Sequence, residues 1–374
     1  MTNPPLLSWI EIYKFDIPFT QPITVALGTF HHAPNILIRI ISDDGMDGLG
    51  ESSPIWSITG ETQETAYEAG QSLAKLWLHK NPLEIEERMN ELEEFLIHNS
   101  SIKCAFDIAL FDWVGKRLGI PLYALLGGKR RSLITDITLG IAPPQEMARE
   151  ARERVAQGFG SLKIKLGTTV AEDVARVSAI RREIGEEVIL RIDANQGWDC
   201  PTAIAALRAL VPFQIEYCEQ PVARWNLAGL KRVQEASPIP IAADEALFDH
   251  HDAFNLASTG ACDFFNIKLA KSGGIRNALK INAIAEASGM RCMLGCMFET
   301  RLALTAAAHL AAARPNIAFL DLDSAFYLAE DPVVGGLTYE KEAVLLPDLP
   351  GLGATIRPDF LVRLEHVTIG DTNK

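Results

Sequence analysis

Hydrophobic and polar positions follow two rhythms along the chain. In the first part, LLSWIEIYKFDIPF and NILIRIISDDGMDGLGESSP read as extended segments, the second broken by a DDG turn, which predicts antiparallel strands. Helical patterns follow at TQETAYEAGQSLAKLWL, PLEIEERMNELEEFLIH and IKCAFDIALFDWVGKRLG. Strands followed by helices predict an α+β domain over residues 1–128. The second rhythm alternates. Short apolar runs occur at DITLGI (136–141), SLKIKLG (161–167), VILRIDAN (188–195) and IEYCEQP (215–221). Four more lie at IPIAADE (239–245), FFNIKLA (264–270), RCMLGCM (291–297) and AFLDLDS (318–324). Helical patterns such as AEDVARVSAIRREIG separate them, at the roughly 25-residue spacing of a βαβ unit. Eight strands in series predict a parallel barrel over 129–325. Beyond the eighth the pattern turns Gly- and Pro-rich. The expected fold is therefore α/β: a (β/α)7β modified TIM barrel with an N-terminal α+β capping domain, completed by the returning segment 326–374.

Composition narrows the function. Hydrophobic residues make up 48% and charged residues 22%, a globular balance. A formal net charge of −13, without a dense basic cluster, argues against a nucleic-acid partner. No apolar run approaches the roughly 18 residues of a membrane helix, so no membrane partner is expected. MTNPPLLSWIEIYKF has neither a basic leader region nor an apolar one. The six cysteines (Cys104, Cys200, Cys218, Cys262, Cys292, Cys296) form no CxxC pair and read as reduced core residues. A cytoplasmic enzyme is expected.

Charge at the strand ends then changes the picture, because the C-terminal ends of barrel strands form the mouth. Strand two carries Lys163 and Lys165, strand three Asp193, strand four Glu219, strand five Asp244, strand six Lys268, and strand eight Asp321 and Asp323. Singly, each has an ordinary reading: a solvated or rim lysine, a helix-capping acid. Eight together make a site, since buried ions are costly unless paired. Three carboxylates on consecutive strands, without His or Cys, suit a hard cation such as Mg²⁺. Lys163 and the metal are expected to lower the pKa of Lys165, making it a general base, with Lys268 on the opposite face.

The pieces KIK, RIDANQGW, EQP, ADE and IKLAKSGG, in this order, together with GKRLGIPLYALLGG (115–128), resemble the enolase superfamily and its muconate lactonizing enzyme subgroup. The resemblance implies Asp193, Glu219 and Asp244 as Mg²⁺ ligands, Lys165 and Lys268 as the acid/base pair, and Lys163 as a supporting cation. It also implies abstraction of the proton α to a carboxylate, through an enediolate. The subgroup includes cycloisomerases, o-succinylbenzoate synthases, N-acylamino acid racemases and dipeptide epimerases. LDLDS favours the last: residues i and i+2 of a strand share a face, so Asp321 and Asp323 are expected to meet a dipeptide's ammonium. An arginine or a guanidinium-bearing substrate would also satisfy them, and a catalytically silent dipeptide- or metal-binding barrel remains the non-enzyme alternative.

Thr138 is expected to hydrogen-bond the substrate, and Cys296, otherwise a core cysteine, to offer its backbone to the dipeptide amide. Loops 27–35 and 51–62 resemble the family's cap loops, and His31 and His32 read as exposed loop residues. The first loop has no arginine, which disfavours an acidic C-terminal residue, while Glu51 and Glu61 are expected to draw a cationic partner. Barrels of this family often assemble as dimers or octamers, which leaves a homo-oligomer open.

Overall fold

Isoleucines at alternate positions build the first layer. Strand β1 (Leu7–Val25) pairs antiparallel with β2 (Gly28–Ser42), setting Ile10 against Ile40 and Ile12 against Ile38, all fully buried. The Asp43–Gly45 turn leads into β3 (Asp47–Ser52), with Gly45 at a φ of 84°. Helices α1 (Gln63–Trp77), α2 (Ile85–Phe95) and α3 (Ser100–Leu118) cover this sheet. Residues 101–115 of α3 are buried on every side, because the helix is sandwiched between the cap sheet and the barrel. Its approach to β3 requires glycine: a Cβ at Gly48 or Gly50 would run into the backbone of Ala109 or Ala105. The computed structural model describes residues 4–371; residues 1–3 and 372–374, the outermost parts of the first and last expected segments, lie outside the described residues.

The eight expected barrel strands all form. They are β4 (Ile137–Leu139), β5 (Ser161–Lys165), β6 (Ile189–Asp193), β7 (Ile215–Glu219), β8 (Ile241–Ala243), β9 (Phe264–Ile267), β10 (Arg291–Leu294) and β11 (Ile317–Leu320). They make one parallel sheet in sequence order. Its ends meet where Asp136 N–H donates to Leu320 O at 3.2 Å and Leu322 N–H to Thr135 Oγ1 at 2.8 Å. Between strands run α4 (Pro144–Ala156), α5 (Val170–Ile184), α6 (Cys200–Leu210), α7 (Leu227–Ala236), α8 (His250–Thr259), α9 (Ile275–Ala287) and α10 (Arg301–Ala313). Capping boxes start α5 at Thr169 and Glu172 and α8 at Asp249 and Asp252. Directly after β11 a single 3-10 turn (Ser324–Phe326) stands where an eighth barrel helix would begin, in keeping with a (β/α)7β barrel.

The tail then does two things. Short antiparallel pairs at Val333–Gly335 with Ala354–Ile356, and Thr338–Glu340 with Ala343–Leu345, lie along the barrel. Strand β12 (Glu365–Gly370) pairs with β1 and completes the four-stranded cap sheet.

Cap and barrel are locked by buried carboxylates at helix N-termini. Glu51 accepts from the Thr300 and Ala303 N–H groups and the Thr300 hydroxyl at 2.6–3.1 Å, capping α10, and from Asn35 Nδ2. Glu61 accepts from the N–H groups of Ser101 and Ile102 at the start of α3. The expectation that these two draw a cationic partner is corrected: both are buried and their acceptors are occupied by helix-terminal donors. The tip of the β1–β2 hairpin leans over the mouth, where Ile141 N–H donates to Thr24 O and Thr20 N–H to Tyr327 O.

Candidate active site

The strand register sets the charges level with one another. Lys165 lies opposite Asp193, and Asp193 opposite Glu219, at the ends of β5, β6 and β7. Asp244 follows β8 directly. Oxygens of Asp193, Glu219 and Asp244 all lie within 4.8 Å of one another, and all three residues are fully buried. Glu219 Oε2 accepts no directed hydrogen bond although the Lys163 ammonium is 2.7 Å away. Three converging buried carboxylates, with no nitrogen or sulfur ligand among them, fit a divalent, oxygen-loving cation. Burial pushes each carboxyl up, but Lys165 and Lys163 hold Asp193 below the ordinary range, and Lys268 with Lys271 hold Asp244 well below it. Burial and the charge of Asp193 push Glu219 up to about 8.

The lysines stand on both sides of this triad. Lys165 Nζ donates to Asp193 Oδ2 at 2.6 Å, and Lys268 Nζ to Asp244 Oδ2 at 2.8 Å. Lys163, deeper in the barrel, lies 2.7–3.2 Å from Glu219, Asp321 and Asp193. Burial lowers the pKa of Lys163, yet Asp321, Glu219 and Asp193 outweigh it and keep the ammonium firmly charged. Lys268 is likewise held above the ordinary lysine value by Asp244 and Glu219 against the effect of burial.

Asp321 and Asp323 lie just past β11, which ends at Leu320, so strand alternation is not what brings them together. The first strand does it. Thr138 N–H donates to Asp323 Oδ2 at 2.7 Å, and Thr138 Oγ1 to Asp321 Oδ1 at 3.4 Å. The two acids are not equivalent. Asp321 is paired with Lys163 at 2.8 Å and held far below the ordinary carboxylate range, burial notwithstanding. The hydrogen-bond partners of Asp323 are neutral: Thr138, the Tyr327 hydroxyl at 3.0 Å and the Cys296 thiol at 3.6 Å. Burial and the charge of Asp321 push it up to about 6. Burial also pushes the Cys296 thiol well up, with Asp321 and Asp323 adding to it, so it stays a neutral donor. The other five cysteines are free and buried, and His31 and His32 are exposed.

A second layer escaped sequence reasoning. Asn266 Nδ2 donates to Glu219 Oε1 at 2.5 Å, and Asn195 Nδ2 to Asp193 Oδ2 at 3.2 Å. The buried Lys271 ammonium holds both the carboxylate and the carbonyl of Asp244. Gln220 Oε1 accepts from the N–H groups of Asp244 and Ala246, fixing the turn after β8. Asn195, Gln196 and Gln220 adopt φ values of 40°, 67° and 32°, so the backbone is strained directly behind two of the triad acids. Gly295 is bare because a Cβ there would come 2.8 Å from Asn266 Oδ1 and 3.1 Å from Lys268 Cε. The signal available was position: Asn195, Gln220 and Lys271 sit inside DANQ, EQP and IKLAKSGG.

Above the mouth lies a cavity of about 350 Å³, lined by Lys165, Lys268, Asp321 and Asp323 below and by the cap above. A parallel barrel whose mouth carries a carboxylate triad between two lysines, under an α+β cap, defines the enolase type of metal-dependent enzyme. The chain belongs to this family: residues 146–360 match the enolase C-terminal domain-like model, and residues 9–127 match the N-terminal domain of mandelate racemase / muconate lactonizing enzyme. It is 40% identical to a D-Ala-D/L-Ala epimerase of Cytophaga hutchinsonii over 97% of this chain and all of that one. A hydrophobic dipeptide epimerase of Enterococcus faecalis is 44% identical over 92% of this chain and 98% of its own length. The crystal structure of the Cytophaga hutchinsonii dipeptide epimerase with Mg and the dipeptide D-Ala-L-Val matches with a TM-score of 0.96, at 40% identity, over 97% of this chain and 100% of that one.

Proposed function

We propose that this protein is a Mg²⁺-dependent dipeptide epimerase, an isomerase that inverts the α-carbon of a dipeptide's C-terminal residue by 1,1-proton transfer. One observation carries the reading: Lys165 and Lys268 stand at opposite ends of a single carboxylate triad, with a separate carboxylate pair beside it. Asp193, Glu219 and Asp244 would hold the cation. A Mg²⁺ ion held there would supply Lewis-acid charge opposite the substrate carboxylate. Lys165 and Lys268 address the two faces of the α-carbon. One accepts its proton as the neutral amine, and the other delivers a proton as the ammonium to the opposite face. Lys163 balances Asp321, Asp193 and Glu219 beneath them, and Asp323 is left with an uncompensated charge to take the dipeptide's N-terminal ammonium. An N-succinyl group in the same place would set a third carboxylate against Asp321 and Asp323, which disfavours acylamino-acid substrates.

The test is incubation of dipeptides and N-succinyl amino acids with the purified protein and Mg²⁺, followed by chiral separation. The reading predicts inversion confined to the C-terminal residue of dipeptides. Inversion of N-succinyl amino acids alone would overturn it.

A further inference from the structure

We propose that the inverted residue carries an apolar side chain, and that Phe298 sets how long that side chain can be. The proposal rests on the epimerase reading and names the substrate class of the same site. Its geometry follows from what is already taken. The substrate carboxylate goes to the acid triad, the N-terminal residue goes toward Asp323, and Lys165 and Lys268 occupy the two faces. The side chain of the inverted residue is left facing the cap. That wall is made by Leu27, Phe30, Ile55 and Ile58 from the cap and by Met297 and Phe298 from the loop after β10. None of the six carries a charge.

The cavity's other charged wall residues, Glu146, Arg149, Glu150 and Glu153, all belong to α4. That helix sits on the Asp323 side, where Arg154 lies over the ring of Tyr327 at 5.9 Å. A carboxylate or ammonium on the inverted residue would therefore be desolvated against an uncharged wall with no partner, which is costly. An apolar side chain gains from the same burial.

Phe298 is a partition. Behind it lies a second cavity of about 380 Å³ that shares Leu27, Phe30, Ile55 and Phe298 with the first and contains none of the lysines or triad acids. The ring of Phe298 is wedged between Phe19 and Phe30, at centroid distances of 4.8 and 5.1 Å. Its backbone is pinned from the cap: Asn35 Nδ2 donates to Phe298 O at 2.8 Å, and Phe298 N–H donates to Ser53 Oγ at 3.2 Å. A wall held this firmly limits side-chain length, and trimming it joins the two cavities.

The experiment measures kcat/KM with Mg²⁺ for L-Ala-L-X, where X is Val, Leu, Phe, Trp, Glu or Lys, on the full chain and on Phe298→Ala and Phe298→Leu. The parent chain is expected to favour the best apolar X over Glu and Lys by at least about tenfold, the scale of a pocket contact. Both variants should raise the Trp-to-Val ratio, by about tenfold in Phe298→Ala and less in Phe298→Leu. Thermal melts establish that each variant folds, and Phe298→Leu carries the comparison should Phe298→Ala fail to. Efficient epimerisation with Glu or Lys preferred overturns the apolar seat while leaving the epimerase reading intact. An unchanged Trp-to-Val ratio in a folded variant overturns the role of Phe298. No turnover of any dipeptide overturns the epimerase reading and this proposal with it.

Discussion

The barrel mouth and the cap face that covers it are built on opposite principles. In the mouth the lysines and the triad acids are tied to one another: Lys165 to Asp193, Lys268 and Lys271 to Asp244, and Lys163 to three acids at once. The cap face offers Leu27, Phe30, Ile55 and Ile58, which contact a ligand without holding it in one geometry. Reaction needs fixed charge, and selection needs shape and apolar area. In this chain the charged mouth and the apolar lid over it are therefore separate surfaces. The lid itself is not loose, since Glu51, Glu61 and Asp107 each accept from backbone N–H groups at a helix N-terminus, the first and last of them across the cap–barrel boundary.

The strongest way to break the mouth without touching the cap is to remove one of the two lysines proposed as bases. Lys165→Ala or Lys268→Ala should lower epimerisation by about 10²–10⁴-fold with little change in melting temperature, as steady-state rates and thermal melts would show. Chelation should abolish turnover of the parent chain, and added Mg²⁺ should restore it. Gly295→Ala adds a single methyl, yet it displaces Asn266 and Lys268 together. A kcat loss of up to about a hundredfold with KM nearly constant is expected, because a small misplacement of the base suffices.

Asp323→Asn separates anchoring from proton transfer. It should raise KM about tenfold or more while kcat falls less, since a charge-assisted contact is lost. The same residue gives a pH dependence. Asp323 is raised from 3.8 to about 6 by burial first and Asp321 second, so it is charged only above that pH. kcat/KM should fall as the pH drops through about 6, and Asp323→Asn should flatten that limb of the profile.

The smallest effect lies at the junction of the two regions. His309 accepts from Tyr123 N–H at 3.1 Å and stacks on the Tyr123 ring, and burial lowers its pKa from 6.5 to about 4. The unfolded chain binds the extra proton between those values, so this contribution to stability is complete above about 6.5 and is lost as the pH falls toward 4. His309→Gln should reduce the acid sensitivity of the melting temperature, by a few degrees across that window, whatever its effect at neutral pH.

The mouth was easy to read in the sequence because a charge closing an apolar run is conspicuous: Lys165, Lys268 and the three triad acids end such runs, and Lys163 lies two positions before Lys165 on the same strand. The eight strands were legible from βαβ spacing for the same reason. Side chains whose meaning comes from a distant partner were not. Glu51 reads as an acidic loop residue, and only the fold brings it to the start of α10, 249 positions away. Asn266 and Lys271 read as ordinary polar residues until the barrel closes around Glu219 and Asp244. Asp321 and Asp323 read as an equivalent pair because nothing local says that Lys163 neutralises one and leaves the other.

In the proposed reaction two lysines work on opposite faces of one α-carbon. Its most direct test is α-proton exchange in D₂O, with each C-terminal epimer of one dipeptide supplied separately to the Lys165→Ala and Lys268→Ala variants, with Mg²⁺ present. A two-base arrangement predicts that each variant exchanges only one epimer, that the two variants choose opposite epimers, and that neither inverts the centre. Exchange of both epimers by a single variant, or of the same epimer by both, would contradict it.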